Sequence, residues 1–355
     1  MTTSAPPAPI AWSDPVRQAA FDQWLARVAP HHGLAPDTLR SASSDASFRR
    51  YFRIDGRNAQ GAHQTFVVMD APPPQEDVRP FVQVASLIAD AGLQAPAVLA
   101  QDPTLGFLLL SDLGSGLLLD AFKQADTAAA ADPLMRQAVQ TLVSWQLGMD
   151  ATGLPAYDDA LLRRELALFP EWCVAREHGQ TWGDEQQRDW QTTCDLLVAS
   201  ALAQPTVAVH RDYMPRNLMV TPQGIGILDF QDAARGPITY DVASLLRDAF
   251  YSWDEEQELD YAVRYWQAAR RAGLPVGDDF GEFWRQLEWM GLQRHLKVLG
   301  IFCRLKHRDG KPAYSRDLAR FFGYAHKAAS RYQGLGPLVR LIEPLIGTQR
   351  VDAYY

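Results

Sequence analysis

One β interruption inside an otherwise helical half constrains this chain most. Apolar residues fall at helical spacing over Met135, Ala138, Val139, Leu142 and Val143, and the same rhythm predicts helices near Asp159–Glu177, Glu185–Ala203, Val242–Phe250, Glu255–Ala272, Phe280–Lys306 and Ser315–Tyr332. Between Val207 and Phe230 the pattern changes. Asn217-Leu-Met-Val and Ile225-Gly-Ile-Leu-Asp-Phe flank Thr221-Pro-Gln-Gly, which reads as a short hairpin. The string His210-Arg211-Asp212-Tyr213-Met214-Pro215-Arg216-Asn217 precedes that hairpin, and Leu228-Asp229-Phe230 ends it. A hairpin this short returns Asp229 beside Asn217.

The first third is built differently. Residues 1–12, rich in Ala and Pro, read as a disordered leader, followed by a helix over about Asp14–Val28. Three strand-like runs come next, LRSAS, FRRYFRI and QTFVVMDAP, with β-branched or aromatic Tyr51, Phe52, Ile54, Phe66, Val67 and Val68. Pro72–Pro74 end the third, because proline cannot donate to a ladder. A helix over about Arg79–Ala91 stops at Gly92, and strands are expected around Ala97–Leu99 and Phe107–Leu110. Ser111-Asp112-Leu113-Gly114 reads as a joint. The expectation is a bilobed α+β fold: residues 13–112 form a small antiparallel-sheet lobe, and residues 113–355 a larger, mainly helical lobe.

Charge and cysteine content exclude several classes. With 34 Lys plus Arg against 42 Asp plus Glu, the net charge is −8, which argues against nucleic acid as a partner. The three cysteines, Cys173, Cys194 and Cys303, give neither a disulfide framework nor a paired metal signature and read as buried free thiols. No basic-then-apolar leader and no apolar run of about 18 residues is present, so no membrane role is expected, and the cytoplasm is the simplest location.

The chemistry sits in the interrupted segment. His210–Asn217 followed by Asp229-Phe230 fits H-R-D-x-x-x-x-N followed by D-F, as seen in kinases. Phosphoryl transfer from ATP needs an acceptor hydroxyl held in line with the terminal phosphate and cations on the phosphate oxygens. Asp212 is the candidate catalytic carboxylate that orients the hydroxyl and takes its proton. Asn217 and Asp229 offer hard oxygen ligands suited to Mg²⁺. His210 is expected to brace the loop, and Asp241 to cap the next helix or anchor a hydrogen bond. Rival nucleotide motifs fail: Gly310-Lys311 is followed by Pro312, and Gly114-Ser115-Gly116 by three leucines.

These residues, with Leu228–Ala233, Gly236-Pro237 and Tyr240-Asp241-Val-Ala-Ser-Leu-Leu, resemble the aminoglycoside phosphotransferase and choline kinase superfamily, whose kinase-like folds phosphorylate small-molecule hydroxyls. Gln231-Asp232-Ala233 replaces the glycine of D-F-G, which favours a small molecule over a protein substrate. A narrower similarity runs through Ser44–Arg53, Met69–Pro74, Arg164–Trp172 and Arg294–Gly300. These strings resemble the anomeric N-acetylmuramate/N-acetylglucosamine kinases of cell-wall recycling. That resemblance implies ATP-dependent phosphorylation of an amino sugar to its 1-phosphate, a product then shared with a nucleotidyltransferase.

One departure stands out. The third strand, Thr65–Asp70, lacks the Lys that kinase-like folds use for the α- and β-phosphates, so Arg49, Arg50 and Arg53 are candidates for its replacement. The turn Asp45, Ala46, Ser47, Phe48 with Arg49 is expected to cover the phosphates, and backbone near Ser111 and Leu113 to bond adenine. Glu165, Trp172, Tyr213, Arg216, Arg294 and His295, within or beside the shared strings, are the expected sugar contacts. Rival readings are a kinase for an aminoglycoside, choline or homoserine, and an inactive nucleotide-binding regulator.

Overall fold

The computed structural model describes residues 10–44, 48–58, 60–125 and 127–346. The chain divides into two compact units, one of Met1–Ser115 with Thr221–Asp232, the other of Gly116–Val220 with Ala233–Tyr355.

The first unit opens with α1 (Pro15–Val28), started by the Asp14 carboxylate accepting from the Val16 N–H at 2.8 Å and by Pro15 at the first helical position. Strands β1 (Ala35–Ser44), β2 (Arg50–Arg57) and β3 (His63–Asp70), helix α2 (Arg79–Asp90), then β4 (Val98–Asp102) and β5 (Phe107–Ser111) follow. The sheet is antiparallel, in the order β1-β2-β3-β5-β4. The first strand is longer than the LRSAS run because Pro36 is tolerated on a sheet edge. One sheet face, with Phe52, Ile54, Phe66, Val68, Phe107 and Leu109, buries Phe21, Trp24 and Leu25 of α1. Ile10 and Trp12, expected within the leader, also pack on this core; the Trp12 ring lies 5.1 Å from Phe21 and 5.9 Å from Phe52. Helix α2 buries Phe81, Val84, Ala85 and Ile88, one face at helical spacing.

The second unit contains α3 (Leu118–Gln124), α4 (Ala128–Gly148), α5 (Asp159–Leu166), α6 (Asp184–Leu202), β6 (Thr206–Val209) and most of β7 (Leu218–Thr221). Strand β8 (Gly224–Ile227) belongs to the first unit. The second resumes with β9 (Ala234–Pro237), α7 (Tyr240–Leu246), α8 (Glu255–Arg271), α9 (Phe280–His307), α10 (Leu318–Ser330) and α11 (Gly336–Ile346). The helix expected over Asp159–Glu177 breaks in two, α5 and a π-helical stretch Phe169–Glu177, where Pro170 removes a donor. Helix α9 runs through the middle of this unit and buries Gln293, Arg294, His295 and Lys297 among apolar neighbours. A Cβ at Gly300 would stand 2.5 Å from the Leu168 carbonyl, so only glycine allows α9 this close to the π-helical segment. No described helix is long and apolar enough to cross a membrane. All three cysteines are buried and free.

Candidate active site

Strand β6 pairs antiparallel with β9 and delivers the chain to His210. From there the loop is held by groups outside itself. The Asp241 carboxylate accepts the His210 N–H at 2.7 Å and the Arg211 N–H at 3.0 Å. Asp241 lies inside α7 and caps nothing, so of its two expected roles the anchor is the one observed. The buried His210 ring accepts the Asp212 N–H on Nδ1 at 3.2 Å and packs against Trp145 and Tyr213, which braces the loop as expected. Asn217 closes it by donating its amide N–H to the Asp212 carbonyl at 2.9 Å. That bond leaves the amide oxygen as the acceptor this side chain offers to a cation.

Backbone conformation marks the same residues. Among the described residues, Arg211 (φ 75°) and Asp229 (φ 58°) are the non-glycine residues at positive φ. Such backbone costs on the order of 1–3 kcal/mol and gathers at functional sites. At Arg211 the cost is offset by a buried network. The Glu165 carboxylate accepts from Tyr157, from Arg211 Nη2 at 2.7 Å and lies 3.1 Å from Lys297 Nζ, which itself donates to the Tyr240 hydroxyl at 3.1 Å. Burial pushes Glu165 upward, yet Lys297, Arg211 and Tyr157 outweigh it and hold the carboxylate below its ordinary range. Burial also pushes Asp212 upward; Lys297, Arg294, His210 and Arg211 reverse this and keep it ionised. Lys297 is lifted above its usual range, since Tyr240, Glu165 and Asp212 outweigh its burial.

Asp241 goes the other way. Burial raises its carboxyl from 3.8 to about 7, with the two N–H bonds only partly opposing. Between those values the folded chain keeps a proton that the unfolded chain has lost, so the stability this group contributes falls as pH rises through that window. Asp241→Ala is expected to lose roughly 1–3 kcal/mol from the buried His210 N–H left without an acceptor, and less from the part-buried Arg211 N–H. It should also lose that part of the pH slope. Urea unfolding of both proteins at about pH 5 and about pH 8 measures both effects.

Asp229 belongs to the first unit. The hairpin turn closes there, with Thr221 Oγ1 donating to the Gly224 carbonyl at 3.0 Å, and Ile227 N–H donating to the Gln94 carbonyl at 2.8 Å. Phe230 lies 4.6 Å from Phe81 of α2. Gln231 Nε2 donates to Asp229 Oδ1 at 2.9 Å, and Arg49 Nη1 stands 3.9 Å from the same oxygen.

The three arginines around β2 separate by role. Arg50 and Arg17 both clamp the buried Asp70. Arg53 is bidentate to Asp112, at 2.6 and 3.0 Å, and also donates to the Gly114 carbonyl, so it fixes the segment after β5. Arg49 alone of the three pairs with Glu76, at 3.2 Å, just before α2. Asp45, Ala46 and Ser47 lie outside the described residues. Phe48 beside them is 68% exposed.

Several expected contacts are corrected by their surroundings. Tyr213 is fully buried, with its hydroxyl donating to the Ala138 carbonyl, so it packs the core rather than facing a sugar. His295 is fully buried against Phe321 and Tyr324, and burial beside Arg247 and Arg294 keeps it neutral. Glu165 has both oxygens engaged by Tyr157, Arg211 and Lys297, which makes it a positioning group for the loop. The Ser111 N–H donates to the Ala97 carbonyl at 2.9 Å. Arg294 is buried, donating to the Arg247 carbonyl at 3.5 Å and reaching Met214 Sδ at 3.9 Å. Arg216 sits over the Phe250 ring at 5.0 Å, and Trp172 is half-buried in the π-helical segment.

Lys297, Glu76 and Asp112 were not singled out from sequence. Lys297 carried a usable signal: it follows Arg294 by one helical turn on a mainly apolar helix, where a buried ammonium needs an anion. Glu76 and Asp112 carried none, because their partners are distant in sequence.

The model of the phosphotransferase enzyme family matches residues 38–279. The chain is 50% identical over 340 residues to an N-acetylmuramate/N-acetylglucosamine kinase of Pseudomonas aeruginosa, covering 94% of this chain and 98% of the relative. It is 45% identical over 336 residues to the protein of that name from Neisseria meningitidis serogroup B, covering 95% and 98%. Among solved structures, choline kinase from Cryptosporidium parvum Iowa II superposes with a TM-score of 0.60 at 11% identity, covering 91% of this chain and 99% of that one. The streptomycin–ATP–APH(2")-IIa ternary complex superposes with 0.57 at 14% identity, covering 87% and 97%. A sheet unit, a helical unit with a braced His-Arg-Asp loop, and relatives at this identity over nearly full length lead to one conclusion: the chain belongs to the phosphotransferase enzyme family and is a kinase with an alcohol group as acceptor.

Proposed function

We propose that this kinase transfers the terminal phosphoryl group of ATP to the anomeric hydroxyl of N-acetylmuramate and N-acetylglucosamine, giving the sugar 1-phosphate, and that it works in the cytoplasm. The names of the relatives at 50% and 45% identity support the sugar class. The observation that carries the mechanism is Asp212, ionised among Lys297, Arg294, His210 and Arg211 on a loop anchored by Asp241. An anomeric hydroxyl is a hemiacetal and the most acidic hydroxyl of a free sugar, which suits a carboxylate as weak base. Asp212 accepts a hydrogen bond from it, aims its oxygen at the terminal phosphorus and takes the proton as the new P–O bond forms and the bond to ADP breaks.

The donor set fits a hard cation. Asn217 has an amide oxygen that its bond to the Asp212 carbonyl does not use, and Asp229 has a carboxylate, both hard oxygen donors. Asn217 and Asp229 would hold Mg²⁺, which when bound supplies positive charge to the phosphate oxygens. Arg49, steadied by Glu76, takes the phosphate-binding place of the missing strand Lys. Arg49→Ala is expected to raise KM for ATP about 10- to 100-fold, as for loss of one charge-assisted bond, with a smaller change in the sugar KM. Arg49→Lys should recover part of it. Steady-state titration of each substrate checks this.

The test of the function is ADP release with N-acetylmuramate, N-acetylglucosamine, kanamycin and choline, followed by phosphorus NMR of the product. Phosphate on a non-anomeric oxygen, or turnover only with kanamycin or choline, would remove the amino-sugar reading.

A further inference from the structure

The second unit holds a cavity of about 430 Å³ between the segment before α8 and helices α8, α9 and α10. That is the size range of small-ligand sites. Its lining includes Arg247, Ser252, Trp253, Glu258, Arg320 and Tyr324.

The charges around it are unequally satisfied. Glu258 is bonded by Arg247 at 2.5 Å, and Glu288 by Arg247 at 3.2 Å and Arg331 at 2.6 Å. Glu255 is paired with Lys327 at 2.8 Å, and Asp254 caps α8 through the Gln257 N–H at 2.8 Å. Every one of these carboxylates therefore has a donor. Arg320 has no carboxylate partner among the described residues. Its Nη1 donates to the Ala249 carbonyl at 2.8 Å, and its buried Nε has no hydrogen-bond partner.

The cavity is also close to the reacting loop by way of one segment. Arg320 holds the carbonyl of Ala249; the next residue, Phe250, lies under Arg216 of the loop at 5.0 Å. Two residues earlier, the Arg247 carbonyl accepts from Arg294, whose other nitrogen reaches Met214 of that loop. Within this segment Phe250 meets Arg216 of the Asp212 loop, the Arg247 carbonyl reaches that loop by way of Arg294, and Arg247, Ser252 and Trp253 line the cavity.

N-acetylmuramate differs from N-acetylglucosamine by a 3-O-lactyl arm that ends in a carboxylate. The arm leaves the ring at C3, two ring carbons from the anomeric carbon, so it is a separate handle from the hydroxyl that would meet Asp212. We propose that the arm enters this cavity and that Arg320 binds its carboxylate, which makes Arg320 the residue that sets the preference between the two sugars. The inference rests on the amino-sugar reading above. Nε and the second terminal nitrogen present the planar pair that a carboxylate matches.

The experiment compares kcat/KM for N-acetylmuramate, its neutral methyl ester and N-acetylglucosamine in the wild-type enzyme and in Arg320→Gln, whose amide can still donate to Ala249. The wild type should lose about 10- to 100-fold on the ester relative to the acid, the range of one charge-assisted bond. Arg320→Gln should lower the N-acetylmuramate to N-acetylglucosamine ratio by a similar factor and should treat acid and ester alike. A wild-type enzyme indifferent to esterification overturns the proposal without any variant. So does Arg320→Gln that slows both sugars equally, which would mark Arg320 as a support for the segment alone. Wild-type turnover of neither sugar would instead sink the amino-sugar reading, and this inference with it.

Discussion

Asp212→Ala is expected to lower kcat by about 10²- to 10⁴-fold, the usual contribution of a positioned acid–base group, with little change in either KM. The reason is local. Lys297, Arg294, His210 and Arg211 keep the carboxylate ionised despite its surroundings, so it is ready to accept a proton across the neutral range. The fold should survive. The loop is held by the Asp241 carboxylate, the His210 ring and the Asp212 main chain, none of which the substitution removes. Asp212→Asn should be equally slow, because an amide can orient the hydroxyl but cannot take its proton. Steady-state kinetics beside a thermal melt decides the matter. A folded variant with more than about a tenth of wild-type turnover would strip Asp212 of its role.

Asp229→Ala should cost a comparable factor, on the order of 10³ in turnover, since several kcal/mol of charge stabilisation on the phosphates depends on the cation it would hold. Here the backbone must be separated from the carboxylate. Asp229 sits at φ 58°, where alanine is strained by roughly 1–2 kcal/mol and glycine is not. Asp229→Gly should therefore keep the stability of the wild type better than Asp229→Ala, while both remain inactive at ordinary Mg²⁺. Activity measured against rising Mg²⁺, together with urea unfolding of both variants, distinguishes the two effects. An active Asp229→Gly enzyme would show that the site needs the turn and not the charge.

How much of this was legible depends on where the information lies. The helices and strands were readable because apolar spacing is local: α2, α8 and α9 lie within a residue or two of their expected bounds, and the sheet strands follow their β-branched and aromatic runs. The misses are local conflicts with a neighbour. The Asp159–Glu177 helix breaks at Pro170, and Trp12 joins the core because α1 and β2 leave an aromatic surface for it. At the site, Asp212, Asn217 and Asp229 were readable as a motif. The burial of Tyr213, His295 and Glu165 and the partners that engage Glu165 were not readable, since neither shows in a string of residues.

The sequence by itself determined the two-part α+β architecture and the chemical character of the Asp212 loop, because hydrophobic period and a run of eight residues are short-range properties. Only the tertiary structure decided which charges are available. Arg50 and Arg53 are consumed by Asp70 and Asp112, Arg49 stands with Glu76 and Asp229, and Lys297 holds Glu165 and Asp212 in their charged forms. An ion pair such as Lys297–Glu165 joins side chains far apart in the sequence, and its strength depends on how much water the fold removes around it, which no local pattern encodes.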